Sequence, residues 1–404
     1  MSLDSNDYCL KEINELCELN SSSYSKKDNW EFINYLDTKN IIKGEINEIK
    51  YLDPEMDKVP SRAKRKVNIN DIIISTVRPN QEHYGIIKKE YDNFLVSTGF
   101  TTLTVDTSQA VPEFIYYYIT QHYITQSLQT IAEQSTTSYP SVKPSDIGNL
   151  IVELPSLDIQ NKIANILTSI ENKINVNKEI NKNLFNIIDF IFKDYVGDYE
   201  DLEIVSLSEN TQEIIRGFNS KYVEKSNIKN FNQKVNKGTF LEKQHFKYLD
   251  ENIEIPKAKF AKKRDVLVNS LGDGTVGRPH YYNEDTDNVV VDQHITIIRA
   301  NEDLIPSTYI YEYLKNSTGQ YHLDSLISGS TGMLMLNISE IRNLKIPILD
   351  KKNLREFDTT VTPLFDKITK NFEEIYCLSK LRDTLLPKLM SGEIDVSKIN
   401  CDLE

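Results

Sequence analysis

Residues 71–150, moved by 194 positions, fall on residues 265–344 without a gap. A chain that repeats itself at this length builds one fold twice, and every other reading has to respect that. Asp71-Ile72-Ile73-Ile74 lands on Asp265-Val266-Leu267-Val268, Val96 on Val290, Pro112 on Pro306, Tyr117 on Tyr311 and Thr137 on Thr331. Identities are few, but residue class agrees along the whole register. Tyr51-Leu52-Asp53 answers Tyr248-Leu249-Asp250 upstream, and Leu154-Pro155 answers Ile346-Pro347 downstream.

Each repeat opens with β-branched runs, 71–77 and 94–105 in the first and 265–271 and 289–298 in the second, which predict strands. Pro112 and Pro306 then start helical stretches, Glu113 to Ile131 and Ser307 to Leu326. A polar loop and a short last strand close each unit. The fold class expected is α/β or α+β, with two similar globular units.

A long helical pattern follows each unit. The first runs through Ile163, Ile166, Ile170, Lys173, Asn177, Ile180, Leu184, Ile187 and Ile191. The second runs through Leu354, Phe357, Val361, Leu364, Ile368, Asn371, Ile375, Leu378, Arg382, Leu385 and Leu389. Steps of three and four alternate in both, the 3.5-residue period of a coiled-coil seam. Lys173, Asn177, Asn371 and Arg382 are polar seam positions, of the kind that fixes register at a cost in stability. Pro363 is expected to kink the second helix or to mark its effective start.

Composition excludes several classes. Hydrophobic residues make up 39% and charged residues 26% of 404, which excludes a wholly disordered chain. No apolar run has the length of a membrane span, so no membrane partner is expected. Cys9, Cys17, Cys377 and Cys401 share no close metal-binding spacing, so no metal site is expected, and a reduced, cytoplasmic protein is. The histidines are scattered, and neither a G-x-S-x-G elbow nor a Walker loop occurs. The chain is therefore expected to be no enzyme by itself.

One motif needs context. Residues 272–277 spell G-x-G-x-x-G after a strand, but a dinucleotide site requires a helix next. Arg278-Pro279-His280-Tyr281-Tyr282 reads as extended chain instead. That leaves a plain glycine-rich turn between strands, or a loop whose exposed N–H groups and Arg278 approach a phosphate or base edge.

Basic residues cluster at corresponding places: Lys58, Arg62, Lys64, Arg65 and Lys66 in the first repeat, Lys257, Lys259, Lys262, Lys263 and Arg264 in the second. Each cluster lies immediately before the repeat's first strand. Such residues suit nucleic-acid phosphates. Arg78, Thr137, Tyr139, Gly274, Thr275, Arg278, Ser330 and Thr331, in turns and polar loops, suit base contacts. A net charge of −13 opposes this reading and predicts weak DNA binding by the chain alone. It suits better the alternative, a coiled-coil scaffold with two protein-binding domains and no DNA.

The run LPSLDIQNKIANIL from Leu154, with IENKINVNKEINKNL from Ile170, resembles the central conserved region of type I restriction-modification specificity subunits. The tail LRDTLLPKLMSGEI from Leu381 resembles that family's C-terminal conserved region. The resemblance covers the whole chain in layout. It implies target-recognition domains at 1–155 and 197–348, spacer helices at 156–196 and 349–392, and a tail at 393–404. It further implies that the helices pack antiparallel about a pseudo-twofold. Each domain would read one half of a split double-stranded DNA target, and the helices would set the spacer. Two modification subunits would dock on the helices, and a restriction subunit can join. The cofactors implied lie outside this chain: S-adenosylmethionine in the modification subunit, ATP and magnesium in the restriction subunit. A helix from about Asp158 to Tyr195 would span roughly 55 Å, enough for half-sites about 34 Å apart.

Overall fold

The computed structural model describes residues 8–134, 140–197, 202–219, 221–329 and 334–397. The chain divides into two compact units, residues 1–173 with 377–404, and residues 174–376.

The first unit holds two four-stranded sheets. One is ordered Cys17–Leu19, Phe100–Val105, Ile72–Ser75, Tyr84–Ile86, all antiparallel. The other is ordered Lys50–Leu52, Ile33–Leu36, Phe94–Ser97, Ala63–Lys66, with Ile33–Leu36 and Phe94–Ser97 parallel. Helices Pro112–Ile119, His122–Glu133 and Pro144–Gly148 follow, and Ile151–Leu154 pairs back on Cys9–Glu12.

The second unit repeats this plan. Its antiparallel sheet is ordered Thr211–Arg216, Ile295–Ala300, Asp265–Asn269, Pro279–Tyr282. In its second sheet Ile228–Phe231 lies parallel to Val289–Val291, with Lys247–Leu249 on the other side. Helices Ser307–Lys315, Ser317–Ser325 and Ile338–Asn343 lead to Lys345–Ile348, which pairs with Glu203–Ser206. The two modules share the order of the antiparallel sheet and of three strands of the second sheet, and differ at its edge, which is Ala63–Lys66 beside Phe94–Ser97 in the first module and Tyr222–Val223 beside Lys247–Leu249 in the second.

Hydrogen bonds refine the register. Asp71 and Asp265 are equivalent: each accepts from the backbone N–H three residues upstream, that of Asn68 or Lys262, at 2.8 Å. Ser75 N then donates to His83 O at 2.9 Å, and Asn269 N to Arg278 O at 3.0 Å. The hairpin turn of the second module therefore carries one extra residue, and His83 is the counterpart of Arg278. The shift persists in the next strand, where Phe100 pairs with Ser75 and Ile295 with Asn269. The original offset returns at Leu150 and Leu344, which accept from Ile13 N and Leu207 N. The gapless slide is thus corrected by one residue along the strands that follow the hairpin turn.

Two expected helices are each broken in two. Thr120 Oγ1 bonds back to Tyr116 O at 2.9 Å, and the chain turns extended at Gln121 before the next helix starts. In the second module Asn316 is the break, because its side chain caps the following helix through Gly319 N at 2.8 Å. Both side chains offer the backbone a local alternative to continued helix.

The two long helices, Leu157–Val196 and Lys351–Met390, have forty residues each, about 60 Å at 1.5 Å per residue. Their ends follow from sequence. Asp350 caps the second through Lys352 N and Asn353 N at 2.9 and 3.0 Å, and Gly197 and Gly392 take the left-handed conformation past the C-termini. Pro363 neither starts nor ends its helix. It lies exposed on the solvent side, where water can serve the carbonyl it leaves unpaired.

The helices pair antiparallel within each unit. In the first, Arg382 Nη1 meets Glu171 Oε2 at 2.8 Å, and Ile163 and Leu167 share a core with Leu389 and Met390. In the second, Asn177 Nδ2 donates to Glu374 Oε2 at 2.8 Å, and Ile188, Phe192 and Val196 share a core with Leu354, Phe357, Val361, Phe365 and Ile368. Each buried Phe or Leu contributes roughly 1.5–3 kcal/mol. This core includes module residues Tyr309 and Tyr281, so here the helix pair is part of the module's own interior.

The expected seam needs correcting in the first helix. The buried positions include Ile163, Leu167, Ile174, Asn177, Asn181, Ile188, Phe192 and Val196. Ile166, Ile170, Ile180, Leu184 and Ile191 are half-buried flanks, and Lys173 and Ile187 are exposed. The apolar face is wider than a strict coiled-coil stripe, so isoleucines one position aside fit the same period. The second helix follows expectation more closely: Leu354, Phe357, Val361, Ile368, Asn371 and Leu389 are buried, with Leu364, Ile375, Leu378, Arg382 and Leu385 half-buried.

Candidate nucleic-acid interface

In the first module the basic cluster makes a strand of its own. Ala63–Lys66 is the edge strand beside Phe94–Ser97, with Ala63 turned inward and Lys64 outward. Arg62 and Lys58 are exposed. Arg65 is half-buried, and its Nε has no hydrogen-bond partner among the described residues, so desolvation lowers the guanidinium pKa. Lys66 pairs with Asp28 and lies 5.2 Å from the centroid of Trp30, which packs on Tyr24. That pairing holds the Asp28 carboxyl below its ordinary value. The cluster therefore splits: Lys58, Arg62 and Lys64 face solvent, while Lys66 is held by an acid and an aromatic ring. Arg78 is exposed in a left-handed conformation, with its N–H fixed to Pro140 O at 2.9 Å.

The second cluster is arranged differently. Lys257–Lys259 forms a single helical turn, with Lys257 exposed and Lys259 Nζ donating to Arg216 O at 2.7 Å. Lys262 is exposed, and exposed Lys263 lies 3.7 Å from Asp366. Arg264 departs from the phosphate-contact expectation. Its Nη2 bonds both Glu302 Oε2 at 2.8 Å and Asp358 Oδ1 at 2.7 Å. Both carboxylates hold the guanidinium charged against the cost of its burial. Arg264 thus ties the module to the second long helix.

The glycine turn behaves as its context required: residues 272–277 lead into strand Pro279–Tyr282, not into a helix. Gly272, Gly274 and Gly277 all have positive φ, which explains glycine at each. Thr275 Oγ1 bonds Gly272 O at 3.4 Å. Arg278 is half-buried and donates through Nη1 to Asn236 O at 3.1 Å and through Nη2 to Gly274 O at 3.2 Å. Its counterpart His83 reaches the matching loop of its own module, with Nδ1 donating to Ile41 O at 2.6 Å. The same hairpin position thus faces the same neighbouring loop in both modules, and this equivalence is hidden in the sequence by the extra turn residue. Thr137, Tyr139, Ser330 and Thr331 lie outside the described residues.

Sequence reasoning missed Trp30, the chain's single tryptophan, and the stacked pair Phe32 and Tyr51, 5.3 Å apart with Tyr51 exposed. No repeat partner or motif marked Trp30 or Phe32, and Tyr51 was marked only by its repeat counterpart Tyr248. Among the described residues no helix is long and apolar enough to cross a membrane.

Residues 5–186 match the family model described as the type I restriction modification DNA specificity domain. The HindI specificity subunit of Haemophilus influenzae is 23% identical to 87% of this chain over 93% of its own length. The MjaIX specificity subunit of Methanocaldococcus jannaschii is 27% identical to 72% of this chain over 70% of its own. The crystal structure of the type I restriction-modification system S subunit from M. genitalium shares the fold at a TM-score of 0.63, with 15% identity, 96% of this chain and 98% of that chain covered. Residues 5–186 thus carry the match to a DNA specificity domain, and over most of its length the chain is similar to type I restriction enzyme specificity subunits. Its resemblance to type I restriction-modification specificity subunits stands, and DNA specificity is its role.

Proposed function

We propose that each module reads one half of a bipartite, asymmetric duplex target, and that the helix pair sets the spacer between the halves. The observation that carries this is the strand order the two modules share, complete in the antiparallel sheet and over three strands of the second sheet, which makes them two readers of one kind with different edges and loop chemistry. The chain itself is the non-catalytic partner. Adenine methylation is assigned to two modification subunits carrying S-adenosylmethionine, docked along the long helices, and ATP- and magnesium-dependent cleavage to a restriction subunit. With a net charge of −13, those partners supply much of the attraction to DNA, in the cytoplasm.

The test is methylome sequencing of cells expressing this chain with its modification subunit. A seven-residue insertion beside Asn177, matched by one beside Asn371, keeps the heptad phase and adds about 10 Å. The spacer should lengthen while both half-site sequences persist. Altered half-sites with an unchanged spacer would defeat the proposal.

A further inference from the structure

The second module holds a cavity of about 350 Å³ between turn 237–239 and hairpin turn 274–279, floored by Tyr311, Lys315 and Gln320. Three of its lining side chains are cationic: Lys237, Arg278 and Lys315. Its walls are built in advance. Asn236 Oδ1 accepts from Gly238 N at 2.7 Å, and Asn236 Nδ2 donates to Asn269 Oδ1 at 2.9 Å. Buried His280 donates from Nδ1 to Gly238 O at 2.6 Å, and Gln320 Nε2 donates to Gly277 O at 3.3 Å. Gly274, at positive φ, lies beside open space, with nothing within 4 Å of the place a Cβ would take.

The charges are unequally compensated. Lys315 Nζ lies 2.7 Å from the buried Glu312 carboxylate, and Lys237 Nζ lies 2.9 Å from Glu242. Among the described residues Arg278 bonds backbone carbonyls and is neutralised by no carboxylate. A guanidinium offers donors and no acceptor. The two nearest carbonyls, Asn236 O and Gly274 O, already receive from it. A guanine edge also offers an arginine only acceptors, but Arg278 sits in a cavity that two further cationic side chains line, a setting of positive charge that suits a phosphodiester better.

We propose that this cavity seats a backbone phosphate of the bound duplex, held by Arg278 and Lys237. The proposal rests on the DNA-specificity reading and adds an asymmetry to it. The first module has His83 at the position of Arg278, so the guanidinium grip belongs to the second module alone.

The experiment compares the wild-type chain with Arg278→Gln and Lys237→Gln, each assembled as full chain with its modification subunits. Binding to a duplex carrying the methylated target, and to an unrelated duplex, is measured across a salt series. Each variant should make the plot of log affinity against log salt shallower by about 0.9, one phosphate contact. Both duplexes should weaken by the same factor, and the methylated sequence should stay unchanged. A wild-type slope in both variants overturns the proposal, as does relaxed base preference in one half-site. Should Arg278→Gln melt early because its two carbonyl ties are lost, Lys237→Gln, at the rim, decides. If wild type itself fails to distinguish the two duplexes, the DNA-specificity reading is what fails.

Discussion

Asn371 Nδ2 donates to Asn181 Oδ1 at 2.8 Å across the two long helices, and both side chains are buried. Asn181 Nδ2 in turn donates to Ile368 O at 3.3 Å. Buried Ile174 and Ile188 flank this rung on one helix, and buried Phe365 and Ile368 precede it on the other. The amides bond each other in one register only, so the rung can select that register among several the apolar stripe would accept.

Removing one partner should therefore cost more than removing both. Asn371→Leu leaves Asn181 Oδ1 buried without a donor, an expected loss of about 1–3 kcal/mol in urea unfolding. Asn181→Leu with Asn371→Leu should recover most of that loss, since a matched apolar pair replaces a matched polar one. Additive losses in the double variant would mean that the two amides act independently.

The repeat made the fold legible. The strands, the helix succession and the two long helices all follow from one offset and two periodic patterns. What stayed hidden has local causes. Thr120 and Asn316 break helices through their own hydrogen bonds, which apolar periodicity does not register. The true seam of the first helix passes through Asn181 because flanking isoleucines offered an equally regular path one position away. Basic clusters were visible as charge, but whether a lysine or arginine faces solvent or an acid depends on residues distant in sequence, such as Asp358 for Arg264 and Asp28 for Lys66.

Arg264 separates a structural cation from a DNA contact. Its Nε and Nη2 both engage Glu302, and Nη1 reaches Thr362 Oγ1 at 3.4 Å. Arg264→Ala should lower the melting temperature through the two carboxylates it strands, by several degrees for a loss of about 1–3 kcal/mol. The salt dependence of DNA binding should keep its wild-type slope. A shallower slope with unchanged melting would return Arg264 to the phosphate contacts.

Gly217 is required by a close approach of backbone to backbone. A Cβ there would lie 2.2 Å from both Val291 O and Asp292 O, where Phe218 N bonds Val291 O at 2.7 Å. Carbonyl oxygens inside a sheet cannot move aside as a side chain can. Gly217→Ala should destabilise the chain by about 2 kcal/mol or more, read as a lower urea midpoint. The same change at Gly197, where nothing lies within 4 Å, meets only the cost of its positive φ, about 1 kcal/mol.

His280 gives the second module an acid sensitivity that the first does not share at the equivalent strand position, which is Gly85. Burial pushes its pKa down to about 4, with the bond to Gly238 O only partly offsetting the desolvation. The folded state therefore excludes a proton that the unfolded chain binds with a pKa near 6.5. Stability from this group is complete above about pH 6.5 and is lost progressively as pH falls towards 4, by about 3 kcal/mol in total. Nδ1 keeps its bond to Gly238 O when the ring is charged, so what acidification disfavours is the burial of the ring itself. Melting temperatures of wild type and His280→Gln, measured between about pH 7.5 and 4.5, check this. The variant should start lower, because it replaces a fitted ring, but its curve should fall less steeply on acidification. Parallel curves would show that protonation of His280 plays no part in acid unfolding.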